Sequence, residues 1–457
     1  MRRKLKKLIS MLTSRVVIIG FLIVLQLVWF VILFLRLTQY ATWINITFIG
    51  LSLAIELYII NKSGNPSYKI LWMLFIGTFP LLGGMMYLLF GDKRPSRRIR
   101  RQLHHGRRVI GIRPSVGCSA AAFPVRMAET SFYLESSGFP MYQNTKVEYF
   151  SLADEAFPRL LEDLRKARHY IFMEYFIVEE SYMWDTIREI LIEKVSEGVE
   201  VRFMYDGMCA ISMLPYNYPS QLRKYGIQCK MSNPMKPFLS TTQNNRDHRK
   251  ICVIDGKVGF TGGINLGDEY INRKVRFGHW KDTAVMLRGD AVQSLTMMFL
   301  QMWNVSERKP ENYERYLTPK RKGLKRELGY VIPYADSPFD NENVGEEVYF
   351  HILNHAKKYV HIMTPYLILD NEMITTLTRV AKSGIEVIII MPHIPDKWYA
   401  FVVAKTYYKE LIEGGVQIYE YAPGFVHAKV FVSDDDTATV GLSLIHISEP
   451  TRHLRIS

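Results

Sequence analysis

The chain opens on three long apolar runs and then changes to short, regularly spaced ones. Residues Val16 to Leu35 carry no charge. Twenty residues in a helix cover about 30 Å, the thickness of a bilayer core. The run is longer than a signal peptide's apolar stretch and lacks a small-residue cleavage site. A second run extends from Ala41 to Ile60, with Trp43 and Tyr58 near its ends and Glu56 near one interface, the places where aromatic belts form and a charge costs little. A third, Ile70 to Gly91, is uncharged but holds Pro80, Gly83 and Gly84, which predict a kinked helix or a re-entrant element. Residues 1–92 are therefore expected to form a multi-pass membrane region, with apolar segments at about 16–37, 41–61 and 70–91.

From Val147 onward the pattern predicts a soluble α/β protein built twice. Leu160–Ala167 and Val348–Ala356 are amphipathic helices, each before an apolar strand. Trp184–Glu197 and Asn371–Lys382 are the next helices, closed by Gly198 and Gly384. Val199–Tyr205 and Ile385–Met391 are β-branched strands. Short sequences mark the repeat. Ala167-Arg-His-Tyr-Ile171 answers Ala356-Lys-Lys-Tyr-Val360, Ser196–Val201 answers Lys382–Val387, and Gly226-Ile-Gln228 answers Gly415-Val-Gln417, at offsets of 189, 186 and 189 residues. Near-constant spacing indicates duplication. Helices alternating with strands imply layered α/β units with a largely parallel core. The expected divisions are a basic juxtamembrane linker at 93–146, a first unit at 147–309, a linker at 310–328 and a second unit at 329–441.

Charge adds a partner class. With 58 Lys and Arg against 44 Asp and Glu the net charge is +14, which suits nucleic acid or an acidic lipid surface. The location of the charge favours lipid. Six basic residues precede Val16, and Lys93, Arg94, Arg97, Arg98, Arg100, Arg101, Arg107 and Arg108 follow the third run. Such a juxtamembrane cluster attracts anionic headgroups. The positive-inside rule puts both clusters on one side, which three full crossings would not do. Cys118, Cys209, Cys229 and Cys252 have no C-x-x-C spacing and are expected to be structural thiols.

Each unit ends on the same signature: His248-Arg-Lys250 followed by Asp255, and His427-Ala-Lys429 followed by Asp434. One H-x-K is a weak signal; two at equivalent places in a duplicated chain are a strong one. Histidines paired with lysines suit phosphoryl chemistry. Strand alternation puts each His and its Lys on one face, and puts the aspartates, of opposite parity, elsewhere. Asp255 precedes Gly256 in a tight-turn dipeptide, so the aspartates are expected to orient backbone.

Duplicated H-x-K-x4-D resembles the phospholipase D superfamily. Gly259–Asn265 looks like its G-G-x-N continuation and Trp280-Lys-Asp282 like its W-x-D element. Together with Lys69–Trp72, Pro80–Gly83, Tyr87–Gly91 and the Glu174–Ile177 strand, the chain most resembles the bacterial cardiolipin synthases. The resemblance implies two tandem α/β/α units about a pseudo-twofold axis, behind a transmembrane region in the bacterial cell membrane. It also implies a reaction. One phosphatidylglycerol gives its phosphatidyl group to a second through a phosphatidyl-histidine, releasing glycerol. His248, Lys250, Asp255, His427, Lys429 and Asp434 are its catalytic candidates, and Asn265 a phosphate donor. Family precedent makes His248 the nucleophile; the symmetry of the residues allows the reverse. No cofactor or metal is expected, and no nucleic acid. Phosphatidylglycerol and anionic membrane lipid are the implied partners, and oligomeric state stays open. Another phosphatidyltransferase or a hydrolase of the same type, a superfamily nuclease and a non-catalytic membrane protein are the alternatives. After Gly441 the chain departs from the family pattern. Leu442 to Arg452 looks like a translated sequencing adapter, which predicts that 442–457 packs poorly, that the second half-site lacks its phosphate-binding amide, and that the chain as written is weakly active or inactive. Reading genomic DNA beyond Gly441 tests this.

Overall fold

The computed structural model describes residues 15–35, 39–62, 64–91, 125–233, 246–305, 307, 311–317, 329–336 and 342–441. The basic run at 93–108, Cys118, most of the 310–328 linker and the tail at 442–457 lie outside them. The chain divides into two compact units, one holding the N-terminal helices and the other the α/β region.

The N-terminal unit contains helices α1 (Arg15–Leu35), α2 (Gln39–Asn61), α3 (Pro66–Thr78) and α4 (Pro80–Phe90). The third apolar run is thus two helices, broken at Phe79 with Pro80 opening α4, because proline fits a first turn but not a helix interior. The break folds the chain back on itself. A Cβ on Gly83 would stand 2.7 Å from the Ile76 Cα, whereas residues seven apart in a straight helix are about 10 Å apart. The Gln26 side chain accepts from the Leu82 N–H at 3.1 Å, satisfying one of the amides a helix start leaves free. The expected multi-pass membrane region is not confirmed: among the described residues no helix is long and apolar enough to cross a membrane.

In the α/β unit, after helix α5 (Val125–Ser136), the first half forms strands β1 (Thr145–Phe150), β2 (Tyr170–Tyr175), β3 (Glu200–Asp206), β4 (Gln228–Ser232), β5 (Ile251–Ile254), β6 (Val258–Gly262), β7 (His279–Lys281) and β8 (Ala284–Gly289). Its helices are α6 (Ala153–Arg165), α7 (Tyr182–Ser196), α8 (Tyr218–Arg223) and α9 (Val292–Asn304). The sheet order is β1-β8-β6-β5-β2-β3-β4. Only β2, β3 and β4 run parallel; the remaining pairs are antiparallel. The expectation of a largely parallel core holds for the βαβ part alone. The H-x-K strand instead enters a hairpin, β5–β6, whose short turn permits only antiparallel pairing.

Strand β2 is buried along its whole length, and its alternation builds two cores. Ile171, Met173 and Tyr175 pack with α6 and α7 residues such as Leu160, Leu164 and Ile187. Tyr170 and Phe172 pack with α9 through Leu295 and Phe299. The first half is therefore a three-layer α/β/α sandwich.

The second half contains α10 (Val344–His355), β9 (Tyr359–Met363), α11 (Asn371–Lys382), β10 (Glu386–Pro392), α12 (Trp398–Glu413), β11 (Gln417–Tyr421), β12 (Gly424–Val426), β13 (Val430–Ser433) and β14 (Thr437–Val440). Sheet order β11-β10-β9-β13-β14 repeats the β4-β3-β2-β5-β6 part of the first. Helices α10, α11 and α12 share one core with Val360, Ile362, Val387 and Ile389. Val440, on the edge strand, also packs against the core that α9 builds in the first half. Among the described residues the second half lacks counterparts of β1, β8 and α9, so it falls short of the expected third layer.

The repeat motifs acquire a physical meaning here. The Asp255 carboxylate accepts from the N–H groups of Arg168, His169 and Tyr170 at 3.0, 2.7 and 3.0 Å. Asp434 accepts from Lys357, Lys358 and Tyr359 at 2.8, 2.9 and 3.0 Å. Both aspartates sit at positive φ, +52° and +55°, the left-handed turn conformation Asp tolerates. Each therefore ties the end of H-x-K-x4-D to the first strand of its own repeat. Asp255→Ala is expected to cost about 3 kcal/mol or more of stability, because amides bonded to a charged group are left unpaired. Chemical denaturation measures the loss, and activity per folded molecule should persist.

Candidate active site

The two H-x-K segments are extended stretches rather than ladder residues. His248–Lys250 lead into β5, and His427–Lys429 join β12 to β13. Each lysine folds back on its own segment. Lys250 Nζ donates to the His248 carbonyl at 2.6 Å and Lys429 Nζ to the His427 carbonyl at 2.5 Å. Both lysines are buried, at 2% and 3% exposure. Buried ammonium groups of like sign are unfavourable neighbours. Burial and then Lys429 lower the pKa of Lys250, and burial lowers that of Lys429 to about 8 against the pull of Asp282 and Asp396. The halves thus bring their lysines within electrostatic reach of each other, as a shared anion site requires.

A small parallel sheet joins the halves. Strand β12 pairs with β7, Phe425 opposite Trp280. The Lys281 carbonyl then accepts from both His427 N–H at 2.7 Å and Ala428 N–H at 3.1 Å. The next residue, Asp282, is wholly buried and lies 2.6 Å from His427 Nδ1. Gly263 makes room for it: a Cβ there would lie 1.9 Å from Asp282 Oδ1. Burial works against the ionised carboxylate, but His427 and Lys429 prevail and hold its pKa below the usual value. For His427, burial and Lys429 outweigh Asp282 and bring the pKa down to about 4. The imidazole is therefore neutral near pH 7. Its Nδ1–H donates to Asp282, and its Nε2 presents a lone pair. The rings of Trp280, Tyr270 and Phe425 stand 5.6, 5.7 and 5.8 Å from it.

His248 is held differently. Its ring lies 4.5 Å from that of Phe176. The intervening Arg249 turns inward, 2.7 Å from Glu174 and 3.0 Å from Asp247. Arg246 pairs with Asp206 at 3.2 Å. Ala428, at the equivalent place in the other copy, cannot make such pairs; β7 supplies the hold instead.

The structure separates the sequence candidates. Lys250, His427 and Lys429 lie within electrostatic reach of one another and His248 stands two residues before Lys250, while Asp255 and Asp434 lie at the turns beyond β5 and β13. Asn265, expected as a phosphate donor, is bonded within the protein. It is 1% exposed, its Oδ1 accepts from Ile177 N–H at 3.0 Å, and its Nδ2 donates to the Tyr270 hydroxyl at 2.7 Å. Through Tyr270 it supports a ring that stands 5.7 Å from that of His427. Asp282 is the functional residue left unassigned; its W-x-D motif was the available signal. The Tyr366, Asp396 and Lys397 cluster, joined at 2.6 and 2.9 Å, carries no sequence motif.

Two H-x-K segments in a duplicated α/β fold, their lysines within electrostatic reach of each other, define a protein of the phospholipase D type. The family described as cardiolipin synthase, PLD-like domain, matches residues 160–303 and 349–443, and the phospholipase D-nuclease N-terminal family matches 51–91. A cardiolipin synthase of Alkalihalophilus pseudofirmus is 35% identical, covering 88% of this chain and 79% of its own. Cardiolipin synthase 2 of Bacillus anthracis is 35% identical, covering 83% and 75%. An uncharacterized protein of Streptococcus mutans is 47% identical, covering 84% of each chain. Among solved structures, the phosphatidylserine synthase of Haemophilus influenzae superposes with a TM-score of 0.45 at 16% identity, covering 67% of this chain and 80% of that one. The chain belongs to the cardiolipin synthase family of phospholipase D-like proteins and is a phosphatidyltransferase.

Proposed function

We propose that the protein makes cardiolipin from two molecules of phosphatidylglycerol, at one site between two pseudo-twofold-related halves. The observation that carries this reading is the Asp282-held His427 beside two buried lysines. A phosphodiester entering there has its non-bridging oxygens neutralised by Lys250 and Lys429. His248 attacks phosphorus, the bond to the glycerol oxygen breaks, and His427, which takes up a solvent proton on Nε2 as the anionic phosphodiester binds, protonates that oxygen. The hydroxyl of a second phosphatidylglycerol then gives its proton to His427 and attacks phosphorus, and the P–N bond to His248 breaks. The bound anion offsets the lysine charges that depress the His427 pKa, so the imidazole gains basicity when the proton must be carried.

Membrane association accords with the surfaces. Phe21, Leu27, Leu57, Leu74 and Leu88 are exposed along the N-terminal helices, and soluble proteins rarely expose so much contiguous apolar surface. Directly after Lys397, α12 exposes Trp398, Tyr399, Val402 and Val403, a composition suited to a lipid interface. Purified protein supplied with phosphatidylglycerol alone should yield cardiolipin and free glycerol in equal amounts. Phosphatidic acid and glycerol instead would identify a hydrolase, and this reading would fall.

A further inference from the structure

A cluster of ligand-type side chains lies outside the phosphoryl-transfer residues, where α5 packs on α10. Leu134 of α5 joins the core built by Val344, Val348 and Ile352 of α10, and the Tyr133 ring stands 5.6 Å from that of His351. His351 and His355 are one helical turn apart, so both imidazoles leave the same face; their rings are nearly parallel, 8° apart, at 5.9 Å. Glu129 of α5 reaches the same face. One ligand atom from each of the three lies within 4.8 Å of the others.

The hydrogen bonds show which atoms are available. His355 Nδ1 stands 2.7 Å from the His351 carbonyl, an acceptor only, so Nδ1 carries the proton. His355 Nε2 then faces Glu129 Oε2 at 3.0 Å. A lone pair and a carboxylate oxygen repel at that distance. A cation must sit on or between them: either a second proton, making imidazolium, or a metal ion. Fixing one imidazole nitrogen by a carbonyl while the other points at a shared centre is how metal-bound histidines are oriented.

We propose that Glu129, His351 and His355 bind a divalent transition metal of the zinc class. Two imidazoles and one carboxylate match the donor set of Zn²⁺, Ni²⁺ or Cu²⁺ and not the all-oxygen preference of Mg²⁺ or Ca²⁺. Glu129 is 56% exposed and His355 27%, so an ion can enter and solvent can complete its coordination. The bound ion would link residues 226 positions apart, fastening the helix ahead of the first sheet to the first helix of the second half. The sequence does not show the site, because its carboxylate and its histidines lie in different thirds of the chain. The proposal is independent of which lipid reaction the seam performs.

Zn²⁺ titrated against a chromophoric chelator, on the full chain in detergent without a histidine tag, should show one tight site. His351→Ala and His355→Ala should each weaken binding by about tenfold or more, and Glu129→Gln should weaken it measurably. Co²⁺ should give visible d–d absorption that the histidine variants lose. Zn²⁺ should raise the thermal midpoint of the unsubstituted protein and leave that of His355→Gln unmoved. His355→Gln keeps a polar side chain of similar reach, so its metal-free midpoint shows that the helix still folds. Absence of stoichiometric binding, or binding that all three substitutions leave unchanged, would overturn the proposal.

Discussion

Asp282→Asn is expected to lower turnover by about 10²–10⁴-fold while leaving the fold intact, the scale seen when a buried carboxylate behind a catalytic histidine loses its charge. The amide is the same size and still fits beside Gly263. It can donate as well as accept, so it no longer dictates that His427 keep its proton on Nδ1. The pH profile supplies a second readout. In the free protein His427 titrates at about 4 and Lys429 at about 8. The lysine's charge is lost as pH rises through the second. Activity should therefore fall on the alkaline side, as pH rises through about 8. Asp282 raises both values, so its removal should move that alkaline fall toward acid. A variant equally slow but with an unmoved profile would show that Asp282 acts only as packing.

Removal of either histidine is expected to abolish cardiolipin formation, by on the order of 10⁴-fold or more, since residues acting as one unit are not additive. The two losses should differ in kind. With radiolabelled phosphatidylglycerol and an acid quench, His248→Ala should hold no protein-bound label. His427→Ala should form the phosphatidyl-enzyme slowly or retain it, because no base remains to activate the second hydroxyl. Label retained on the His248→Ala protein would reverse the assignment and make His427 the nucleophile. The surroundings differ enough for that test to matter: His427 has a buried carboxylate behind it, and His248 has a neighbour, Arg249, locked into Glu174 and Asp247.

Much of this arrangement was legible in the sequence because it is local or repeated. Asn371–Lys382 is a helix with the limits its periodicity predicts. Ala167–Ile171 and Ala356–Val360 stood out as repeats, and their amides turn out to be what Asp255 and Asp434 hold. The aspartates' parity had already set them apart from their histidines. Three features were not legible. Strand direction in β5 depends on a hairpin and a long preceding connection, which alternation does not encode. The Asp282–His427 contact joins residues 145 apart across the two repeats, so no spacing within either reveals it. Asn265 was read as a phosphate donor, and its bonds to Ile177 and Tyr270 are tertiary contacts that its motif does not encode. The kinked third run was anticipated from Pro80; its fold-back depended on Gly83 admitting the Ile76 backbone, a packing fact.

The short pairing of β12 with β7 separates two kinds of unit within this chain. Each aspartate-closed repeat is a module for folding, since its first strand and its last turn are fastened within itself. The reactive histidine of the second repeat, however, takes both its backbone hold and its carboxylate from the first. Inheritance of the two modules is therefore no longer independent. A substitution tolerated by one repeat in isolation can silence the other's chemistry, and exchange of a whole repeat between relatives succeeds only where Trp280–Asp282 and Gly424–Ala428 are matched as a pair.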